Sequence, residues 1–176
     1  MHTTKQLFDL NGRTALITGG SRGLGLQMAE ALGEQGAKLI ISSRKQNELD
    51  EAVAHLKKMG IDVLPIAADL GKEESIKPLA ESAMKHLGHV DILINNAGHN
   101  HNTRFVEVDD EENAAREMNV NYFGTLRMIR AFAPAMKARG QGMVVNMITV
   151  GAHVCFPNMG SYCASKAALH SMTQSI

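Results

Sequence analysis

The chain has 176 residues, and its 18 Lys and Arg against 18 Asp and Glu give a formal net charge of zero. That balance argues against nucleic acid or an acidic membrane as a partner bound through bulk charge. Hydrophobic residues make up 44% and charged residues 20%, which is typical of a folded globular domain. The length fits one domain over residues 1–176, with no room for a second.

The amino terminus and the cysteines indicate a cytoplasmic location. Residues 1–10 carry one Lys and no apolar core, so no signal peptide is predicted. No apolar run approaches the roughly 18 residues of a membrane-spanning helix. Cys155 and Cys163 match no zinc or redox spacing, and we interpret them as buried or partly buried thiols in a reducing compartment.

Short apolar runs alternate with stretches of helical period, which is the pattern of βαβ units and a parallel sheet. The pattern predicts strands at 14–18, 38–42, 63–67, 90–95 and 143–148. A helix is predicted around Leu24, Met28, Ala31 and Leu32, and another over 73–87. Ser43 followed by Gln46 forms a capping box that predicts a helix ending near Gly60.

The last third of the chain is predicted to hold two long helices. Asp109 with Glu112 repeats the capping pattern and predicts a long helix that Pro134 kinks or ends. Ser161 is predicted to cap a last helix that is still running at Ile176. Strand 143–148 is apolar on both faces, yet no later strand is available to pair with it. We therefore expect the chain to be cut.

A glycine-rich segment, Thr18-Gly-Gly-Ser-Arg-Gly-Leu-Gly25, lies between the first predicted strand and the first helix. Such a turn lets the backbone approach a pyrophosphate, whose charge is stabilised by free N–H groups and the positive end of the helix dipole. The alternative is a tight turn whose glycines serve packing only. The position after the first strand of a βαβ unit favours a dinucleotide site.

The end of the second strand bears on the choice of dinucleotide. No carboxylate lies between Lys38 and Gln46 to hold a ribose 2′-hydroxyl, and the sequence there is Ser42-Ser43-Arg44-Lys45. Together with Arg22, these cations could bind a 2′-phosphate, because a guanidinium offers paired donors to phosphate oxygens. The alternative is three solvated surface cations. The pattern favours NADP(H) over NAD(H).

Tyr162-Cys-Ala-Ser-Lys166 lies at the start of the last predicted helix. Residues four apart share a helix face, so the phenol and the ammonium can point into one cleft. Lowering the pKa of a tyrosine from about 10 to about 7 needs about 4 kcal/mol of stabilisation of the phenolate. A nearby Lys, the helix N-terminus and an oxidised nicotinamide could together supply it. The alternative is an ordinary surface pair.

Four motifs taken in order resemble the short-chain dehydrogenase/reductase family. They are Thr18 to Gly25, then Asn95-Asn-Ala-Gly98 after the fourth strand, then Asn121 in a long helix, and then Tyr162 with Lys166. The resemblance covers the chain from Asp9 onward, and its general character is that of bacterial 3-oxoacyl-carrier-protein reductases or gluconate dehydrogenase-like members. It implies an α/β doubly wound parallel sheet, a Rossmann fold, with strand order 3-2-1-4-5 and without the family's last strands.

The resemblance also implies roles for individual residues. Tyr162 would donate the proton in carbonyl reduction, Lys166 would lower its pKa and bind the nicotinamide ribose, and Asn121 would hold a water in a proton relay. The implied cofactor-binding set is Thr18, Gly19, Ser21, Arg22, Gly23, Leu24, Gly25, Ser43, Arg44, Asp69, Leu70, Asn96, Ala97, Gly98, Tyr162 and Lys166. Within it, Asp69 and Leu70 would frame the adenine, and Asn96 to Gly98 would lie against the adenosine ribose.

Alternatives stay open for three of these residues. Asn96 could be a turn-capping side chain, and Asn121 a polar residue bonded to a neighbouring carbonyl. Thr149 stands where the family has a substrate-orienting Ser, and it would polarise the carbonyl or be an ordinary strand-end Thr. His99 and His101 lack an evident third ligand, so we expect a solvated or substrate-facing loop and no metal.

Two functions from different classes follow. The first is an NADP(H)-dependent oxidoreductase that interconverts a ketone and a secondary alcohol, with Tyr162 as acid and base. The second is a truncated, non-catalytic fragment that binds a nucleotide or only associates with partners, because the family's segment that grips the nicotinamide is absent. In the family the two long helices form a dimer core, so helices 110–139 and 161–176 imply a homo-oligomer.

Overall fold

Parallel strands form the centre of the molecule. The computed structural model describes residues 4–102 and 111–176. Within them, one sheet runs in the order β3-β2-β1-β4-β5, which confirms the predicted order and the doubly wound α/β class. Its strands are β1 Thr14–Thr18, β2 Lys38–Ser43, β3 Val63–Ala67, β4 Ile92–Asn95 and β5 Met143–Asn146.

Helices connect these strands and cover both faces of the sheet. The longer ones are α2 Gly23–Glu34, α3 Gln46–Lys58, α4 Ile76–Leu87, α6 Thr125–Arg139 and α7 Gly160–Gln174. Shorter segments are α1 Thr4–Leu7, α5 Glu111–Glu117, a π-helical segment Met118–Gly124, and 3-10 turns Glu73–Ser75 and Val150–Ala152. No described helix is long and apolar enough to cross a bilayer.

Alternating residues of the central strands divide the core into two layers. Leu16, Ile40 and Leu93 pack with α4 and α6, whereas Ile17, Leu39 and Ile41 pack with α2 and α3. All five residues of β1 are buried, because it lies between β2 and β4. This full burial suits a parallel strand covered by helices on both sides, and it fixes where the carboxyl ends of the strands meet.

The predicted capping box at Ser43 is not formed, so that prediction is wrong. Ser43 pairs with Ala67 as the last residue of β2, and its carbonyl accepts from the backbone N–H of Ala68 at 2.9 Å. Pairing with β3 therefore extends the strand by one residue beyond the predicted end. Helix α3 begins only at Gln46, with Lys45 as its N-cap.

The two late helices also differ from expectation. Helix α6 continues through Pro134 to Arg139; Arg130 and Pro134 are both exposed, so the carbonyl that the proline leaves without a donor lies on the solvent side. Helix α7 begins at Gly160 after Met159, so Ser161 is not its cap, and it ends at Gln174 rather than running through Ile176. Asp109 lies outside the described residues.

Strand β5 is shorter and less buried than predicted. It covers Met143–Asn146 instead of 143–148, Met143 is exposed, and the other three residues are half-buried. Within the described residues it pairs with β4 alone. Cys163 is buried as expected, whereas Cys155 is exposed, and both thiols are free.

Candidate functional site

A cavity of about 310 Å³ opens where the carboxyl ends of the strands meet. Parallel α/β sheets bind ligands at this edge, next to the point where the strand order reverses between β1 and β4. Twelve of the residues that the sequence assigns to the cofactor line it: Thr18, Gly19, Ser21, Arg22, Gly23, Ser43, Arg44, Asp69, Leu70, Asn96, Ala97 and Gly98. The lining also contains Lys45, one of the cations that the sequence assigns to a 2′-phosphate. Sequence reasoning missed Ser42, Glu48, Ala68, His99 and Val120 as lining residues.

Four assigned residues lie outside this cavity lining: Leu24, Gly25, Tyr162 and Lys166. The side chain of Leu24 is 63% exposed. Gly25 is buried below the turn, where a Cβ would collide with the carbonyl oxygen of Gly19. Gly25 therefore permits the close approach of the helix to the turn, which is a packing requirement of the cavity wall.

The end of β1 is tied to the segment after β4 by Asn96. Its Nδ2 donates to the carbonyls of Thr18 at 3.0 Å and Gly19 at 3.2 Å. Thr18 Oγ1 in turn accepts from the backbone N–H groups of Asn96 and Ala97 at 3.0 and 3.1 Å. Gly19 has φ +66°, and a Cβ there would lie 2.9 Å from Ala97 Cα. Asn96 thus holds the glycine turn in place, as in the turn-capping alternative.

The turn leaves donors available for an anion. Helix α2 has Arg22 as its N-cap, and that side chain caps no backbone N–H. The first N–H groups of a helix have no intrahelical partner, and the helix dipole is positive there. Buried Ser42 Oγ and His99 Nε2 also have no hydrogen-bond partner among the described residues, and both residues line the cavity. These unpaired polar atoms fit a polar ligand such as a nucleotide.

Glu48 changes the electrostatics expected at the adenosine end. Its Oε1 accepts from Lys45 Nζ at 2.8 Å and lies 4.0 Å from Arg22 Nη1, and its Oε2 accepts from Ser21 Oγ at 3.4 Å. The hydrogen bond from Lys45 holds the pKa of the Glu48 carboxyl below its usual value. Within the described part of the chain, Arg44 forms no ion pair.

Asp69 fixes the loop after β3 at one end of the cavity. Its Oδ1 accepts from the backbone N–H of Gly71 at 3.0 Å, and its Oδ2 lies 3.6 Å from Arg116 Nη2. Leu70 beside it is 5% exposed and belongs to the apolar core. The loop after β3 is therefore fixed against α5 at this end of the cavity.

Tyr162 and Lys166 lie one turn apart on α7. Lys166 is 4% exposed, and its Nζ donates to the Met147 carbonyl at 2.8 Å. Burial lowers the pKa of its ammonium to about 8. Burial raises the pKa of the half-buried Tyr162 hydroxyl, and Cys163 and Glu117 add to this effect. In the cofactor-free protein the phenol is thus harder to ionise, opposite to the lowering expected with nicotinamide bound.

Asn121 connects three segments of the site from inside the π-helical segment. Its Oδ1 accepts from His99 N at 2.8 Å, and its Nδ2 donates to His99 O and to Ser165 Oγ, each at 2.9 Å. The alternative of a residue bonded to a neighbouring carbonyl is therefore what the structure contains. Both donors are used, while Oδ1 keeps one lone pair for a further partner.

Gly98 brings the cavity and the α7 side chains together. A Cβ at Gly98 would lie 3.5 Å from Asn121 Oδ1 and 3.8 Å from Lys166 Nζ. Asn121 and Lys166 thus both reach the wall of the cavity at one glycine. The side chain of His99 next to it is half-buried, and burial, followed by Arg116 and Arg44, lowers its pKa. His99 thus lies in the cavity wall, whereas His101 two residues later is exposed.

Thr149 keeps a hydroxyl proton to donate. It is half-buried at the start of the 3-10 turn Val150–Ala152, where Oγ1 accepts from Gly151 N at 3.3 Å. Because the oxygen acts as acceptor in this bond, its own O–H stays free for another acceptor. The turn packs against α7, which brings Thr149 to the same side of the molecule as Tyr162.

Comparison with known proteins gives one consistent family. A family model described as "short chain dehydrogenase" matches residues 13–176. The Rattus norvegicus "Dehydrogenase/reductase SDR family member 4" is 38% identical over 165 residues, which are 94% of this chain and 59% of the relative. The chain spans 59–60% of the length of the first four curated relatives that it matches.

Solved structures of similar chains contain either nicotinamide cofactor. A metagenomic short-chain oxidoreductase in complex with NADP has a TM-score of 0.88 and 29% identity, covering 94% of this chain and 75% of that one. A short chain dehydrogenase/reductase from Burkholderia phymatum in complex with NAD has a TM-score of 0.90 and 30% identity, covering 95% and 59%. The fold accommodates both cofactors in these relatives.

Proposed function

Because the chain belongs to the short-chain dehydrogenase/reductase family, we propose that it acts as an NADP(H)-dependent oxidoreductase that interconverts a ketone and a secondary alcohol. The observation that carries the proposal is the meeting of Asn121 and Lys166 at Gly98 on the wall of the nucleotide cavity. Tyr162 lies one helical turn before Lys166. A nucleotide in the cavity would therefore end next to an ammonium, with a phenol close by.

Each residue has a part that follows from its chemistry. When bound, the nicotinamide supplies hydride exchange with the carbonyl carbon. The Tyr162 hydroxyl gives its proton to the carbonyl oxygen in reduction and takes it back in oxidation. The buried Lys166 ammonium, one helical turn farther along α7, would favour the phenolate that remains, and the Thr149 hydroxyl would donate to the same carbonyl oxygen. Asn121 keeps His99 and Ser165 in place around them.

Turnover tests the catalytic proposal. We expect the chain to oxidise NADPH with members of a panel of ketones, and Tyr162→Phe to abolish this, because the variant has no proton to give. Tyr122→Phe is the matched control: Tyr122 is the other tyrosine of the chain and packs edge-on against Phe123. Nucleotide binding without turnover would contradict the proposal and favour the non-catalytic fragment.

The preference for NADP(H) rests on Arg44. Arg22 and Lys45 share Glu48, so Arg44 is the cation of this group without an ion pair within the described residues. We expect 2′,5′-ADP to bind more tightly than 5′-AMP. The substitution Arg44→Ala should reduce this difference in affinity. Lys57→Ala, on the exposed side of α3, is the control. Equal affinities of the unchanged chain for both nucleotides would contradict the preference.

The proposal also covers the oligomeric state of the protein. We expect a single cytoplasmic nucleotide-binding domain that forms a homo-oligomer through helices 110–139 and 161–176. Phe123, 41% exposed, supports this arrangement, because it places an apolar ring on the surface of the first of these helices. Sedimentation equilibrium tests it. We expect dimers or larger species that Phe123→Glu weakens, and a monomer at every concentration would contradict it.

A further inference from the structure

Two parallel sets of hydrogen bonds connect α7, the α5–π helix and the loop after β4. The first, which we call the amide rung, joins Ser165, Asn121 and His99. The second, the carboxylate rung, joins Ser161, Glu117 and His101: Ser161 Oγ donates to Glu117 Oε2, and the His101 backbone N–H donates to Glu117 Oε1 at 2.6 Å. Within each helix the two members lie four residues apart, so the rungs are stacked one turn from each other.

Glu117 is an unusual residue for this position. It is 0% exposed, whereas Glu111 and Glu112 on the same helix are exposed. A buried carboxylate costs free energy unless it is hydrogen-bonded, and an apolar residue of similar volume would avoid that cost. Ser161 Oγ and the His101 N–H both act as donors to it, an arrangement that suits an ionised carboxylate. No ion pair joins Glu117 to a cation among residues 4–102 and 111–176. The carboxylate is thus held by hydrogen bonds next to the candidate reacting groups.

We propose that Glu117 is a positioning residue for Tyr162: the carboxylate rung holds the first turn of α7 and the loop after β4 together, one turn from the amide rung. Ser161 is the direct neighbour of Tyr162, so fixing its hydroxyl fixes the turn from which the phenol projects. The chemical importance of this placement rests on the proposed function of Tyr162; the placement itself does not.

The charge of Glu117 gives the carboxylate rung a second effect. A negative charge beside a phenol opposes loss of its proton, and Glu117 contributes to the raised pKa of Tyr162. Tyr162 is therefore kept protonated in the cofactor-free protein. A positively charged oxidised nicotinamide would act in the opposite direction, so ionisation of Tyr162 becomes coupled to the presence of cofactor.

Other titratable groups lie on the elements around Tyr162, and Cys155 interacts with Cys163. On α7 itself they are Cys163, which adds to the raised pKa, and Lys166; His170 farther along stacks edge-on with His153. The 3-10 turn Val150–Ala152 has none. On α5 and the π-helical segment, Arg116 pairs with Asp69, and Tyr122 contacts Phe123. Glu117 is the carboxylate of these elements that acts on Tyr162.

Tyrosine titration tests the proposal without requiring turnover. The chain has two Tyr and no Trp, so in a Tyr122→Phe background the near-ultraviolet absorbance of tyrosinate reports Tyr162 alone. We expect Glu117→Gln to lower the ionisation midpoint by on the order of half a pH unit, because one like charge is removed. Glu112→Gln, the same substitution at an exposed site on the same helix, should leave the midpoint unchanged.

Ser161 variants test the carboxylate rung from its other end. Ser161→Ala should raise the midpoint, because the carboxylate loses a donor that balances its charge, and Ser161→Thr, which keeps the hydroxyl, should restore it. Equal midpoints for Glu117→Gln and Glu112→Gln would overturn the proposal. If Glu117→Gln does not fold, a midpoint unchanged by Ser161→Ala overturns it alone. If the Tyr162 midpoint shifts as expected but the chain shows no turnover, the proposed function is overturned and the positioning role of Glu117 is supported.

Discussion

Glu48 lies in the nucleotide cavity between Arg22 and Lys45, two of the cations that the sequence assigns to a 2′-phosphate. Glu48→Gln should raise the affinity for 2′,5′-ADP relative to 5′-AMP by roughly three- to fivefold, since both cations are released from a partly exposed carboxylate. Titration calorimetry of the two nucleotides measures this ratio. Glu51→Gln, exposed on the same helix, is the control; an equal ratio in both variants would rule out Glu48 as a determinant.

Lys166 should make stability depend on pH at the alkaline end. Burial lowers its pKa from 10.5 to about 8 in the folded chain, so between these values the unfolded state binds more protons and the free energy of unfolding rises with pH. Across this pH range, the free energy of unfolding of the unchanged chain should rise by about 3 kcal/mol more than that of Lys166→Met. Urea unfolding at a series of pH values measures it.

The exposed variant Lys57→Met is the comparison for this experiment. It should keep the pH dependence of the unchanged chain. If Lys166→Met shows the same rise as Lys57→Met, the buried ammonium does not cause it.

Sequence reasoning at the residue scale found the groups that motifs carry and missed the groups that tertiary contacts bring in. Gly19, Gly23 and Asn96 belong to the motifs that carry the family resemblance, and they line the cavity, whereas Gly25 lies outside its lining. Glu117 gave no signal, because a carboxylate at the end of a helix usually faces solvent. Glu48 had one available signal, its position three residues after Lys45, where helical residues meet.

At the scale of elements, the glycine turn after β1 depends on space as well as on backbone conformation. Gly19 and Gly140 share φ +66°, but a Cβ at Gly19 would lie 2.9 Å from Ala97 Cα, whereas Gly140 has open space around it. Gly140→Ala should cost about 1 kcal/mol, the conformational cost alone. Gly19→Ala should cost about 1–3 kcal/mol more, because the backbone after β4 must shift.

Chemical denaturation of the two variants gives the difference directly. The pair serves as its own control, since the backbone angle is the same at both sites. Equal loss of stability would mean that the turn can move away from Ala97, and that the two segments are less tightly held than their hydrogen bonds indicate.

The strands and most helices could be predicted because their signals are local, and the exceptions have tertiary causes. Ser43 remains in β2 because β3 pairs with it. The π-helical segment Met118–Gly124 has no sequence pattern of its own, although such turns are frequent at functional sites. Pro134 is tolerated within α6 because it lies on the exposed side.

At the scale of the whole molecule, nucleotide binding and stability should be linked. The residues that line the cavity all lie between Thr18 and Val120, so the cavity is formed without α7. At a concentration of about 100 times its dissociation constant, 2′,5′-ADP should increase the free energy of unfolding by about 2.7 kcal/mol and raise the Tm by several degrees. Arg44→Ala should show a smaller rise at the same concentration, and no rise in the unchanged chain would contradict the assignment of the cavity.

The order of the sheet could be predicted as a whole from the alternation of elements, since parallel βαβ units allow few arrangements. The exposure of β5 was harder to foresee. Its apolar sequence suits a strand between two others, and in the described residues it has β4 on one side only.

The two rungs also limit where residues can be inserted or deleted. Four residues of α-helix advance about 6 Å, and two residues of fully extended chain can span about 6.6 Å, so His99 and His101 can each reach one of the two rungs. Adding or removing one residue within either stretch would move the hydrogen-bonding groups of one rung apart while those of the other rung stay in place. Changes of length within these stretches are therefore expected to disturb the placement of Tyr162 and Lys166.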